Sequence, residues 1–208
     1  MVIKIENAKR SYATWMIVLR VGVTAAFFFW FYNIWNNTSN LEQKLNNVMS
    51  QYSAIDDLQI EFKNEIQEWK DVLLRSHDKE SLNTNWGKFE KQYEKVASTA
   101  QAVILKNDIR AVNERLQSFV SEHKENHAKY LQGIDIFVKN GFNPRLADSL
   151  VNGIDRPLFD SLEAADTVLQ FEKNNINEDI TAKSRKQIEQ SIFSLVFLVL
   201  FAVWMPRK

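Results

Sequence analysis

Apolar residues along this chain fall into two kinds of pattern. Between residues 40 and 176 they recur in steps of three and four, separated by charged and amide side chains. The first series is Leu41, Leu45, Val48, Tyr52, Ile55, Phe62, Ile66, Trp69 and Leu73; the second is Leu82, Trp86, Phe89, Tyr93, Val96, Ala100 and Val103. A third runs Ile109, Val112, Leu116, Phe119, Tyr130, Ile134 and Phe137, and a fourth Leu158, Leu162, Ala165, Leu169 and Ile176. This spacing puts each series on one side of a 3.6-residue helix and predicts four amphipathic helices. No stretch alternates strictly between apolar and polar, so no strand is predicted.

The breaks between the series are equally readable. His77–Ser81 separates the first two, with Asp78 or Ser81 as N-cap. Lys106-Asn107-Asp108 separates the second and third. Gly141 suits the position just past the end of the third helix, and Asn143-Pro144 suits the start of a short helix over 144–152. Gly153 to Pro157 then leads into the fourth.

The second pattern is continuous apolarity at the two ends. Thr14–Trp35 spans 22 residues, and about 20 cross the ~30 Å hydrocarbon core of a bilayer. Trp15 at one end and Trp30, Tyr32 and Trp35 at the other are placed as interfacial aromatic belts. The stretch is longer than a signal-peptide core and no small-residue cleavage site follows, so it reads as a retained span. Ile188–Met205 reads as a second span, stopped by Pro206. Lys4, Lys9 and Arg10 before the first span predict a cytoplasmic N-terminus of residues 1–13. Two crossings return residues 206–208 to the same side. Residues 36–187 are then expected on the outer face, the periplasm of a bacterium, with 24 acidic against 20 basic side chains. The expected architecture is all-α: an antiparallel four-helix bundle outside the membrane, its first and last helices continuing into two transmembrane helices.

Composition narrows the chemistry. Formal net charge is zero, from 26 basic and 26 acidic residues, which speaks against a nucleic-acid partner. The absence of cysteine excludes disulfides, thiol catalysis and cysteine metal sites. Five glycines and three prolines are too few for a Rossmann unit, a phosphate loop or a β-sandwich. No nucleophile elbow or triad pattern occurs, so no enzyme and no cofactor is expected. Carboxylates such as Glu61, Glu65 and Glu68 read as solvated helix faces. His123 and His127, four apart, share one helix face, which leaves a two-histidine metal or haem site open as an alternative. Otherwise His123 is a packed core histidine with His127 at the surface. In the first span Gly22, Ala25 and Ala26 form a small-residue patch beside Arg20. Such a patch permits close helix approach, to another copy, to other membrane-protein subunits, or only to the chain's own second span.

Two stretches carry a resemblance. One is Phe62 to Arg75, FKNEIQEWKDVLLR, followed at helical spacing by Phe89 and Val96. The other is Gly141-Phe142-Asn143-Pro144, then Ala147-Asp148, then Val151 to Pro157, with His123 and Tyr130 in between. Together they resemble the periplasmic four-helix-bundle sensor region of bacterial methyl-accepting chemotaxis proteins. The resemblance implies ligand or partner contacts at Trp69, Arg75, His123, Tyr130, Asp155 and Arg156, with a small molecule as a possible ligand. Such receptors continue into a HAMP linker and a signalling hairpin, whereas this sequence stops at Lys208. The implied role is a sensor lacking its own output domain, or an accessory subunit of a membrane complex. Residues 141–157 are expected to close the membrane-distal end, with Asp155 and Arg156 pairing with each other's neighbours or with Arg75 and Asp78.

Overall fold

The computed structural model describes residues 2–204, and the side chains of 14–36, 39–197 and 200. Five helices follow in order: α1 (Val2–Arg75), α2 (Lys79–Lys106), α3 (Arg110–Lys139), α4 (Pro144–Val151) and α5 (Arg156–Trp204). Among the described residues there is no strand. The chain divides into two compact units. One is Asn46–Asn175; the other holds the chain up to Leu45 and from Ile176.

Local chemistry sets the helix ends of the 46–175 unit. Asp78 caps α2: its Oδ1 accepts from the Ser81 backbone N–H at 2.8 Å, and Ser81 Oγ accepts from the Asp78 N–H at 3.2 Å. This capping box satisfies two amide groups that a helix start leaves unpaired. The hydroxyl–carboxylate contact and the backbone bond together hold the exposed Asp78 carboxyl below its ordinary value. At the α2–α3 break, Asn107 Oδ1 accepts from the Ile109 N–H at 2.8 Å, and Asn113 Nδ2 donates to the Asn107 carbonyl at 2.9 Å.

At the end of α3 the Phe142 N–H donates to the Phe137 carbonyl at 2.9 Å and the Gly141 N–H to the Val138 carbonyl at 3.2 Å. Their rings lie 5.4 Å apart, so the apolar contact that accompanies this type of helix ending is present. It requires left-handed backbone at Gly141 (φ 68°), and Phe142 (φ 60°) follows it there, held by that ring contact. Asn143 then caps the short α4, accepting from the Arg145 N–H at 3.0 Å.

Portions of α1, α2, α3 and α5 meet around one core in this unit. Phe62 of α1 lies against Phe119 of α3 at 5.4 Å and Phe159 of α5 at 4.9 Å. Leu58, Val72, Phe89, Leu116, Phe137, Leu158, Leu162 and Leu169 are all buried. Each such side chain contributes roughly 1.5–3 kcal/mol when removed from water. Leu58 belongs to the buried face of α1 although the sequence reading passed over it; Leu45 and Ile66, placed on that face, are only half-buried. Trp69 and Trp86 are core aromatics: Trp69 is buried and the half-buried Trp86 stacks on Phe89 at 4.9 Å.

In the other unit the apolar face is turned outward. Trp15, Val18, Phe28, Phe29, Tyr32 and Trp35 of α1 are exposed, as are Ile188, Ile192, Phe193 and Leu195 of α5. By length and composition, α1 is apolar enough from Thr14 onward to cross a membrane, the one such helix among the described residues. The second expected span reaches residues 198, 199 and 201–205, which lie outside the described side chains. The basic flanks Lys4, Lys9 and Arg10, and Pro206, Arg207 and Lys208, lie outside them too.

Candidate functional site

Inside the 46–175 unit, polar and titratable side chains form a layer that crosses the apolar core. Its centre is Glu65 of α1, with 1% of its surface exposed, bonded to His123 of α3, with 3% exposed. Glu65 Oε2 and His123 Nε2 are 2.7 Å apart. Burial pushes the Glu65 carboxyl above its ordinary value, outweighing the hydrogen bond and positive charge that His123 offers. This corrects the reading of Glu65 as part of a solvated face. It occupies the buried position between Phe62 and Trp69, and Glu61, with a Lys95 salt bridge at 2.8 Å, is the more open carboxylate.

Tyr93 of α2 stacks on both histidine rings, with centroids 4.6 Å from His123 and 4.0 Å from His127. His127 Nε2 meets Glu90 Oε1 of α2 at 3.0 Å, and its side chain keeps 19% exposure. Two histidine–carboxylate pairs therefore flank one tyrosine. Burial, then the nearby Glu65 and Glu90 charges, raises the Tyr93 hydroxyl above its ordinary value. Each histidine directs Nε2 at a different carboxylate, and among the described residues no group of three or more His, Asp or Glu is placed to hold a metal.

A second cluster adjoins the first. Trp69, Phe89 and Tyr130 pack together, with Trp69–Tyr130 centroids at 4.8 Å and Phe89–Tyr130 at 5.0 Å. Tyr130 Oη donates to Asp155 Oδ1 at 2.7 Å. Burial drives the Tyr130 hydroxyl far up, and burial also raises Asp155, partly offset by that bond. Asn126 Nδ2 donates to the Ile154 carbonyl at 2.7 Å, so two α3 side chains tie down the chain entering α5. Trp69 Nε1 is buried without a hydrogen-bond partner, and Gly133 lies directly over its ring.

The expected site residues therefore separate. Trp69, His123, Tyr130 and Asp155 come together in the core. Arg75 does not join them: it is exposed and pairs with Asp71 one helical turn back, at 3.3 Å. Arg156 is exposed. The anticipated pairing of Asp155 and Arg156 with Arg75 and Asp78 is replaced by the Asp155–Tyr130 bond and by the Asp78 cap. Glu65, Glu90, Tyr93 and Asn126 were not among the expected site residues. The available signal was periodicity, because Phe62, Glu65 and Trp69 keep the three-and-four step without interruption.

In the other unit the small-residue patch also divides. Ala26 faces a hollow of about 360 Å³ shared with Val23, Phe27 and Trp30 of α1 and Phe193, Ser194 and Phe197 of α5. Gly22 is open, with no atom within 4 Å of where a Cβ would stand; Arg20, Ala25 and Ala26 are all exposed. Thr24 Oγ1 donates to the Arg20 carbonyl at 2.8 Å.

Over 160 residues the chain is 26% identical to methyl-accepting chemotaxis protein CtpH of Pseudomonas aeruginosa, covering 74% of this chain and 28% of that protein. The chain thus spans little more than a quarter of its relative's length. The similarity suggests a chemoreceptor-like relationship. No family model matches the chain, and no solved structure matches it.

Proposed function

We propose that the chain is a membrane-anchored sensor whose helical unit stands outside the cytoplasmic membrane. The observation that carries this reading is the chemotaxis-receptor similarity over 74% of the chain. The exposed apolar surface of Thr14–Trp35 supports the anchor, because a helix this apolar on its outer faces needs a non-aqueous surrounding. In this reading Thr14–Trp35 and Ile188–Met205 cross the bilayer, both termini are cytoplasmic, and residues 36–187 form an antiparallel four-helix bundle. The bundle works by binding: a stimulus that prefers one packing of its helices shifts α5 against α1 and carries the change across the membrane.

Reporter fusions test the placement. Alkaline phosphatase, active only outside the cytoplasm, is joined after Lys139, and β-galactosidase, active only inside, is joined at the same point in a second fusion. The expected result is an active phosphatase and an inactive galactosidase. The reverse pattern contradicts the outer-face reading.

A further inference from the structure

The Glu65–His123 pair has a property that sensing requires and that packing alone does not: it can bind a proton in the middle of a helix–helix contact. Its two members stand on different helices, α1 and α3, and both are buried. Their 2.7 Å contact is the polar link between those helices at this level of the core. A hydrophobic pair would fill the same place without placing an ionisable group in an apolar layer, at far lower desolvation cost.

We propose that the Glu65–His123 pair is a proton-binding site whose occupancy favours the packed arrangement of α1 against α3, so that the stimulus read by the helical unit includes external pH. This rests on the sensor reading given above and names the ligand of that sensor.

The surroundings set the sign. From α2, Tyr93 and Glu90 face the layer. From α3, His127 and Tyr130 do, and Glu122, beside His123, has a buried carboxylate oxygen without a hydrogen-bond partner. From the entry to α5 comes Asp155, bonded to Tyr130 and influenced by Lys70 of α1. Asp155 is the acid whose charge raises the Glu65 value, and an added proton relieves that repulsion. In the packed arrangement burial holds the Glu65 carboxyl above its ordinary range. In an arrangement that lets water reach it, the carboxyl returns toward that range. The packed arrangement therefore binds the proton more tightly, and by linkage acidification favours it. Raising the pH ionises Glu65, and the packed core must then accommodate a charge that water would solvate better.

Spin labels on the full chain test this, because the sequence contains no cysteine. Gln67→Cys on α1 and Lys124→Cys on α3, both exposed positions, carry the labels in detergent micelles or vesicles. Between about pH 5 and about pH 8, where histidine and perturbed carboxylates titrate, the inter-label distance distribution is expected to broaden or lengthen as pH rises. Glu65→Gln mimics the protonated acid, so its distribution should stay narrow at both ends. Glu114→Gln, at an exposed carboxylate outside the layer, should keep the wild-type response. His123→Asn removes the group that holds the Glu65 value down, so the midpoint should move to higher pH.

A wild-type distribution that does not change with pH overturns the proposal, whichever variants fold. So does a pH response that Glu65→Gln leaves intact. A flat response leaves the outer-face sensor reading to its reporter fusions. A reversed reporter pattern beside a pH response would sink that reading while leaving the proton site in place.

Discussion

Gly133 shows how closely single side chains are set in this core. A Cβ added there would stand 2.9 Å from Trp69 Cη2 and 3.3 Å from Cζ2. Trp69 is held in turn by Phe89 and Tyr130, so the indole has little room to give. Gly133→Ala is expected to lower the melting temperature, at a cost of about 1–3 kcal/mol for overpacking, measured by circular dichroism in detergent. An unchanged melting curve would show that Trp69 can shift. The titratable layer makes a second prediction at this scale. The folded-state values of Glu65 and Asp155 are raised, so their contribution to stability is complete below the ordinary carboxylate range and is lost as pH rises through the raised values. Glu61 and Asp78 are lowered and pull the opposite way, but both are open to solvent and screened. Melting temperature should therefore fall as pH rises from the acid side, and Glu65→Gln should flatten the slope. A slope of opposite sign would mean that the surface carboxylates dominate. Sequence pattern alone located His123 but not its partner. Glu65 and Ile66 both keep helical spacing from Phe62, and hydrophobicity favours Ile66; only the tertiary match to an imidazole on another helix reverses that choice.

At the scale of elements the punctuation of the chain proved more legible than its polar contacts. Asp78 and Asn143 cap through side-chain oxygens on amides two or three residues on, Gly141 and Gly153 act through positive φ, and such effects are local enough to read from neighbouring residues. The short helix expected over 144–152 forms as Pro144–Val151. The role of the segment after it depends on distant partners: Asp155 meets Tyr130, and the Ile154 carbonyl meets Asn126, 25 and 28 residues away. No local rule announces those bonds, and the expected link to Arg75 was drawn from charge alone. The cap of α2 offers a simple test. Asp78→Ala removes the acceptor for the Ser81 N–H and should cost stability, read as a lower melting temperature. Asp78→Asn should recover most of it; equal loss in both variants would mean that charge rather than the capping bond matters.

For the whole molecule, the all-helical class followed from periodicity and from the scarcity of glycine and proline, and the structure has that class. The apolar helix over Thr14–Trp35 was legible because a long apolar run needs no tertiary context to be recognised. The division of the Arg20–Ala26 patch was not, since it depends on where α5 lies. Ala26 shares a hollow with Phe193 and Phe197, while Gly22 remains open. We therefore expect self-association through the Gly22 side rather than through Ala26. Cysteine at position 22 should crosslink between chains in native membranes, and cysteine at 26 should do so weakly. Equal crosslinking at both would place α5 elsewhere, and none at 22 would remove the homo-oligomer.

The sensing role itself is tested most directly by giving the helical unit a measurable output. Residues 1–204 are joined to the cytoplasmic signalling part of a methyl-accepting chemotaxis protein, and receptor output is followed in cells while external solutes and external pH are varied. The account predicts an output that changes with an external stimulus, acidification among them, and that loses its acid response when Glu65→Gln is introduced. A response to solutes without one to acid would remove the proton site and keep the sensor. A hybrid that reaches the membrane, supports basal output and stays constant across every solute and pH would contradict the sensing role.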